Sequence, residues 1–218
     1  MSQLVPYTIL NNTFLLSSGR CIFWEEQKTL ILSDLHLGKT GHFRKAGIPV
    51  PQNIFKEDMQ RLLSQVQYFK PSQLIIIGDM FHSDANKEHD FFLKWRNDLQ
   101  HLPIHLIKGN HDILKQTWYK EAGITIHNCQ LDINDFTFVH DIDDCELSSD
   151  GYIFSGHIHP GVTIKGLGKQ SLHFPCFYFG KEYAVLPAFS RFTGTFSIEP
   201  KKGEAVYALV ENAVVKVK

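Results

Sequence analysis

The sequence predicts one α/β domain over residues 1–218, with two sheets and helices covering their outer faces. Three observations carry this expectation. Short apolar runs of four or five residues recur, bounded by Gly, Ser or a polar residue, as buried strands are. Strand-like and helix-like stretches alternate through residue 120, which suggests βαβ units. Beyond residue 120 the pattern turns β-rich.

Each element has its own justification. Residues 7–33 read as strands joined by tight turns. Asn11-Asn12 separates YTIL from TFLL, and the polar stretch Glu25–Lys28 separates CIFW from TLIL. Gly38 to Pro51 is rich in glycine, proline and bases, so a loop is expected. Phe55, Met59, Leu62, Leu63, Val66 and Phe69 recur at helical spacing and predict a helix over 53–69. A second helix is expected over 87–102, with Phe91, Phe92, Trp95, Leu99 and Leu102 as its inner face. Residues 160–174 read as a Gly-rich loop or ribbon. AVYALV and AVVKVK, around Glu211-Asn212, read as a final hairpin.

Composition narrows the function classes. The net charge is −1 with histidine neutral, and 43% of residues are hydrophobic, as in an ordinary globular protein. Wholesale electrostatic binding of duplex nucleic acid needs an excess of Lys and Arg, which is absent here; a local basic groove is not excluded. Cys21, Cys129, Cys145 and Cys176 form no CxxC pair and read as small buried hydrophobes in a reducing cytosol. The start, MSQLVPYTIL, lacks the marks of a signal peptide. No apolar run approaches the roughly 20 residues of a membrane span. The expectation is a cytoplasmic protein with no membrane partner.

The chemistry sits at the ends of five apolar runs: TLILSDLH (29–36), QLIIIGD (73–79), IHLIKGNHD (104–112), FTFVH (136–140) and YIFSGHIH (152–159). Open α/β sheets bind ligands at the carboxyl ends of their strands. Asp34, His36, Asp79, Asn110, His111, His140, His157 and His159 therefore aim at one place. That set is too large for one ion and suits two. Residues i and i+2 of an extended chain face the same side, so Asp34 with His36, and His157 with His159, can each serve one site. Carboxylate, imidazole and amide oxygen suit Mn, Fe or Zn rather than a thiolate site.

Only Asp34 and Asp79 are anionic among these ligands. Two divalent ions would leave the site net positive by about two charges, which attracts an anion such as phosphate. Two ions about 3.5–4 Å apart can share a water, lower its pKa and hold phosphoryl oxygens for in-line attack. His111 is placed to stabilise phosphoryl charge or protonate the leaving oxygen, and Asp112 to orient it. Lys39, His42 and Arg44 follow the first motif and could contact substrate phosphates, and His82 could line the entrance. A solvated basic loop, and a structural role for His82, are the alternatives. Lys165, Lys169 and Arg191 read first as surface bases.

The ordered set resembles the calcineurin-like metallophosphoesterases. Their pattern is DxH, GD, GNH followed by D or E, a later H, and GHxH. Here it reads Asp34-Leu35-His36, Gly78-Asp79, Gly109-Asn110-His111-Asp112, His140 and Gly156-His157-Ile158-His159, with no ligand position missing. The resemblance implies a two-sheet β-sandwich flanked by helices. It implies that Asp34, His36 and His159 hold one metal and Asn110, His140 and His157 the other. Asp79 would bridge them, and His111 would be the catalytic histidine.

Residues 33–51, 75–83 and 185–194 look similar to the DNA ligase-associated metallophosphoesterases within that group. This implies a bacterial cytoplasmic phosphodiesterase of DNA repair, a nuclease using two divalent ions, Mn²⁺ first and Fe or Zn next. A DNA ligase, helicase or exonuclease would be candidate partners. Ser190-Arg191 departs from that pattern, where a small residue such as glycine is expected. A hydrolase of small nucleotides or phospholipid-type pyrophosphates is the alternative enzyme. A non-catalytic scaffold would have lost ligands or His111.

Overall fold

Strand pairing in the computed structural model divides the chain into two sheets; residues 4–39, 54–82, 87–144, 151–166, 168 and 170–218 are described. The first sheet has seven strands in chain order: β1 (Leu4–Ile9), β2 (Asn12–Ser17), β3 (Cys21–Trp24), β4 (Thr29–Ser33), β5 (Gln73–Ile77), β6 (Ile104–Ile107) and β7 (Ile124–His127). β1 to β4 pair antiparallel through tight turns. β4 to β7 pair parallel, and parallel neighbours need crossovers. The helices α1 (Ile54–Phe69), α2 (Lys87–Asp98) and α3 (Gln116–Glu121) lie in those crossovers.

The second helix stops at Asp98 rather than at the expected Leu102. Leu99 and Leu102 close tighter turns onto Arg96 and Leu99, and Pro103 disfavours helical backbone in the residue before it.

The second sheet takes the rest of the chain: β8 (Gln130–Ile133), β9 (Phe136–Val139), β10 (Tyr152–Ser155), β11 (Pro160–Lys165), β12 (Ser171–Phe179), β13 (Tyr183–Val185), β14 (Phe196–Ser197), β15 (Ala205–Val210) and β16 (Ala213–Lys216). Its order is β14-β11-β12-β13-β10-β9-β8, with β15 and β16 added beside β12. The Gly-rich stretch is an antiparallel ribbon, β11 on β12, and the C-terminus is the expected hairpin.

Two apolar layers hold this together. Phe14, Trp24, Ile31, Ile75 and Ile107 of the first sheet meet Phe136, Phe138, Phe154, Phe177 and Phe179 of the second. On the other face of the first sheet, Leu30, Leu32, Leu74 and Ile76 pack with Met59, Leu62, Phe92 and Tyr119 from the three helices. β4 is buried along its whole length, as a strand covered on both faces must be. The outer face of the second sheet carries only a small cluster around Val162, Cys176 and Val206. Among the described residues, helices therefore cover one outer face rather than both.

Two further facts bear on the expectations. No described helix is long and apolar enough to cross a membrane. Cys21 and Cys176 are free and buried, but Cys129 is disulfide-bonded, against the reading of all four as thiols.

Candidate metal centre

Parallel pairing brings the strand ends level. Ser33 pairs with Ile77 and Ile75 with His105, so β4, β5 and β6 end together; β9 and β10 are likewise parallel neighbours. The two groups are stitched across the sandwich. Ser33 bridges Ala188, and the Asp34 carboxylate accepts the His157 amide at 3.2 Å. All seven expected ligands converge there.

The convergence does not come from strand alternation. Asp34 (φ 53°), His36 (φ 48°), Asp79 (φ 48°), His157 (φ 67°) and His159 (φ 50°) lie beyond their strands in left-handed backbone. Such residues cost of order 1–3 kcal/mol each unless the surroundings over-determine them. Here they do. Asp34 and His36 donate their amides to Gly78 and Asp79, and Leu37 donates to Met80. The alternating kinks bury Leu35 in the helix-side core while Asp34 and His36 turn to the centre.

The motif glycines are explained by space. A Cβ on Gly78 would lie 2.0 Å from His140 Nδ1, one on Gly109 2.4 Å from Asp79 Oδ1, and one on Gly156 2.6 Å from Asp34 Oδ2.

The donors form two groups. In the first, His36 Nε2 and His159 Nε2 are 3.3 Å apart, and His159 Nε2 is 3.3 Å from Asp34 Oδ1. In the second, His140 Nε2 lies 3.2 Å from Asn110 Oδ1, 3.2 Å from His157 Nδ1 and 3.5 Å from Asp79 Oδ1. Asp79 touches both groups, with Oδ2 3.8 Å from His36 Nε2. Asp34 also comes within reach of His140 and Asp79, so the two groups interlock.

Hydrogen bonds at the far side of each ring set the tautomers. His140 Nδ1 faces the Ile77 carbonyl at 3.3 Å, and His159 Nδ1 faces the Gly194 carbonyl at 3.2 Å. With Nδ1 donating to its carbonyl, the neutral form of each ring presents an Nε2 lone pair. Those lone pairs face other acceptors, Asn110 Oδ1 in one group and Asp34 Oδ1 in the other. Buried acceptors facing one another repel unless a cation lies between them. Among the described residues, Asp34 Oδ1 and His36 Nδ1 are buried with no hydrogen-bond partner. Burial first, then the charges of Lys39, His159, His82 and His111, push the His36 ring down to about 2, which keeps it neutral, as ligation requires. The residues present fit two divalent cations.

Asp34, His36, Asp79 and His140 form the buried floor, whereas Asn110, His111 and His157 are open to solvent on one side. His111 hangs over the shared aspartate: its amide donates to Asp79 Oδ1 at 2.9 Å and its Nε2 is 4.0 Å from Asp79 Oδ2. The His82 ring lies 4.4 Å from the His111 ring, between centroids. Lys39 is half-buried; burial pushes its ammonium below the usual lysine range, against the raising effect of Asp79 and Asp34. His42 and Arg44 lie outside the described residues.

Asp112 does something other than expected. Its carboxylate does not orient His111 but accepts three backbone amides: Met80 at 3.0 Å, Phe81 at 3.1 Å and Gly109 at 2.9 Å. It ties the GD loop to the GNH loop. Asp112→Ala leaves three buried donors without an acceptor, costing about 3 kcal/mol. The melting temperature of the metal-free protein should fall by about 6–12 °C. A fall under about 2 °C would contradict this role.

Sequence reasoning missed three supports. Asp141 Oδ2 lies 3.4 Å from His157 Nε2 and turns Nδ1 toward the centre. Its signal was adjacency to His140. Arg20 donates to the carbonyls of Ala188 and Ser190, and Arg61 donates to Phe189 O while covering the Phe189 ring at 4.3 Å. These arginines clamp a loop whose Ser190 amide holds the Asp34 carbonyl. No local pattern could announce bonds to carbonyls some 130–170 residues away. The departure at Ser190 is accommodated, since its buried hydroxyl accepts the Phe192 amide at 3.2 Å.

Two depressions flank the centre. One, about 260 Å³, includes Lys108, Asn110, Asn128, Asp141 and Asp144; the other, about 380 Å³, is lined by Lys39, Arg191, Phe192, Thr193 and Gly194. A larger, more apolar groove of about 500 Å³ lies between α1 and α2 and holds no proposed ligand.

Comparison with known proteins adds three findings. The calcineurin-like phosphoesterase family matches residues 27–175. The crystal structure of the Pseudomonas putida nuclease MPE is similar over 99% of this chain and 100% of that one, at 23% identity with a TM-score of 0.83. A protein of unknown function from Aquifex aeolicus, AQ665, aligns over 65% of this chain and 82% of its own, at 15% identity with a TM-score of 0.42. No protein of curated function matches the sequence.

Proposed function

Since the chain belongs to the calcineurin-like phosphoesterase family and is a metal-dependent phosphoesterase, we propose that it is a dinuclear phosphodiesterase, a nuclease acting on DNA in repair. The observation that carries the dinuclear part is the pair of acceptor-lined groups sharing Asp79. Asp34, His36 and His159 would hold one ion, Asn110, His140 and His157 the other, with Asp79 between them. The donor set contains no thiolate and suits Mn, Fe or Zn, and the resemblance puts Mn²⁺ first. Two ions so held supply Lewis acidity at the phosphoryl oxygens and an acidified water.

The chain's own groups do the rest. Asp141, Ile77 and Gly194 orient the ligand imidazoles. His111, open to solvent beside Asp79, is positioned to give a proton to the leaving oxygen or to stabilise phosphoryl charge.

DNA as substrate is supported by the likeness of segments 33–51, 75–83 and 185–194 to the DNA ligase-associated group, and by a fold shared with a nuclease. A ligase, helicase or exonuclease of the same pathway would be the partners on this reading. A cytoplasmic site of action goes with a DNA substrate, and the Cys129 disulfide is the feature at odds with it. The near-neutral charge favours the second reading, a small-molecule phosphoesterase.

The deciding experiment is a substrate panel with Mn²⁺: end-labelled single- and double-stranded oligonucleotides, cyclic nucleotides and a phosphomonoester. Cleavage of oligonucleotides, abolished by chelator and restored by Mn²⁺, is expected. Cleavage of the monoester alone would overturn the nuclease reading. No turnover with any divalent ion would overturn the assignment of this chain's centre as catalytic.

A further inference from the structure

The loop between β13 and β14 is built in two parts. Residues 188–190 are clamped from beneath by Arg20 and Arg61, and their carbonyls are fully engaged. The next residue, Arg191, is exposed and, among the described residues, forms no ion pair. Gly194 then returns to the centre, where its carbonyl takes His159 Nδ1. Arg191 is thus presented from a clamped backbone, just before the Gly194 carbonyl that bonds the proposed ligand His159.

Lys39 stands on the other wall of the same depression, three residues after His36, whose carbonyl accepts the Lys39 amide at 3.1 Å. The depression holds about 380 Å³ and, among the described residues, is lined by two cations, an aromatic ring, a hydroxyl and no carboxylate. The opposite flank mixes Lys108 with Asp141 and Asp144 and repels a second anion.

We propose that Lys39 and Arg191 form a subsite for a second phosphate, the one next to the scissile diester, so that the centre selects polynucleotides over isolated diesters. The proposal rests on the phosphodiesterase reading. Its physical basis is that cations carried on a clamped backbone bind a backbone phosphate at lower ordering cost than cations on a free loop, and carry no base specificity. Phe192 adds an apolar wall for the sugar or base beside that phosphate. The same geometry predicts direction: the chain extends from the scissile group toward the His36–His159 side.

The test compares two thymidine substrates, the dinucleotide with one diester and the trinucleotide with two, in Mn²⁺-loaded wild-type protein and in Arg191→Gln. In the wild type the second phosphate should raise kcat/KM about tenfold, the scale of one charge-assisted hydrogen bond. In Arg191→Gln that gain should shrink to under threefold, and Lys39→Gln should shrink it likewise. The log–log salt dependence of oligonucleotide binding, followed by fluorescence anisotropy, should flatten by about 0.7 for each cation removed. An undiminished gain with an unchanged salt slope in both variants would overturn the subsite. If the wild type cleaves neither substrate, the phosphodiesterase reading fails on its own. The anisotropy arm still decides the subsite, because equal affinity and slope in wild type and both variants would exclude it.

Discussion

Asp79→Ala should lower phosphodiester hydrolysis by about 10⁴-fold or more, the largest effect of any single change in the chain. Asp79 is the residue through which the two donor groups meet, 3.8 Å from His36 Nε2 and 3.5 Å from His140 Nε2. Losing it removes half of the anionic charge that would balance two divalent ions, Asp34 being the other half. Several kcal/mol of transition-state stabilisation come from ions at phosphoryl oxygens, and each 1.36 kcal/mol is tenfold in rate. Metal content measured by elemental analysis should fall with the rate. Asp79→Asn keeps the shape, and with it the acceptor for the His111 amide, yet should lose nearly as much because the charge is gone. Full metal content with a substantial residual rate in either variant would contradict the bridging role.

His111→Ala should lower kcat by about 10²–10⁴-fold while metal content and melting temperature stay close to wild type. Its side chain is 41% exposed, so truncation opens no cavity in the core. Its Nε2 lies 4.0 Å from Asp79 Oδ2, and the proposed role is proton donation or charge stabilisation rather than ligation. Leaving-group dependence separates its two candidate roles. If His111 supplies a proton, a nitrophenyl diester, whose leaving group needs none, should be much less affected than an oligonucleotide. Equal losses on both would point to phosphoryl charge stabilisation instead. Loss of metal would show that His111 had been misassigned.

Much of this was legible in the sequence, for identifiable reasons. Buried parallel strands must be apolar runs, and their polar ends must converge, so TLILSDLH, QLIIIGD and IHLIKGNHD already located the centre. The stripes on α1 and α2 announced core positions: Met59, Leu62, Val66 and Phe92 are buried, but Phe91, expected on the inner face of α2, is 57% exposed.

What was hidden was backbone conformation and long-range bonding to main chain. The i, i+2 argument brought these residues together by the wrong geometry, because left-handed kinks at Asp34, His36 and His159, rather than a straight strand, turn them inward. Asp112 is adjacent to His111, yet its carboxylate serves the amides of Met80, Phe81 and Gly109. Adjacency in sequence says nothing about which amides a buried carboxylate will meet. Arg191 looked like any surface base until Arg20 and Arg61 fixed the loop that carries it.

The most direct test of the dinuclear account is anomalous diffraction from crystals of the Mn²⁺-loaded protein. Two peaks are predicted, one among Asp34, His36 and His159 and one among Asn110, His140 and His157, with the Asp79 carboxylate between them. A single peak, or peaks away from Asp79, would contradict it.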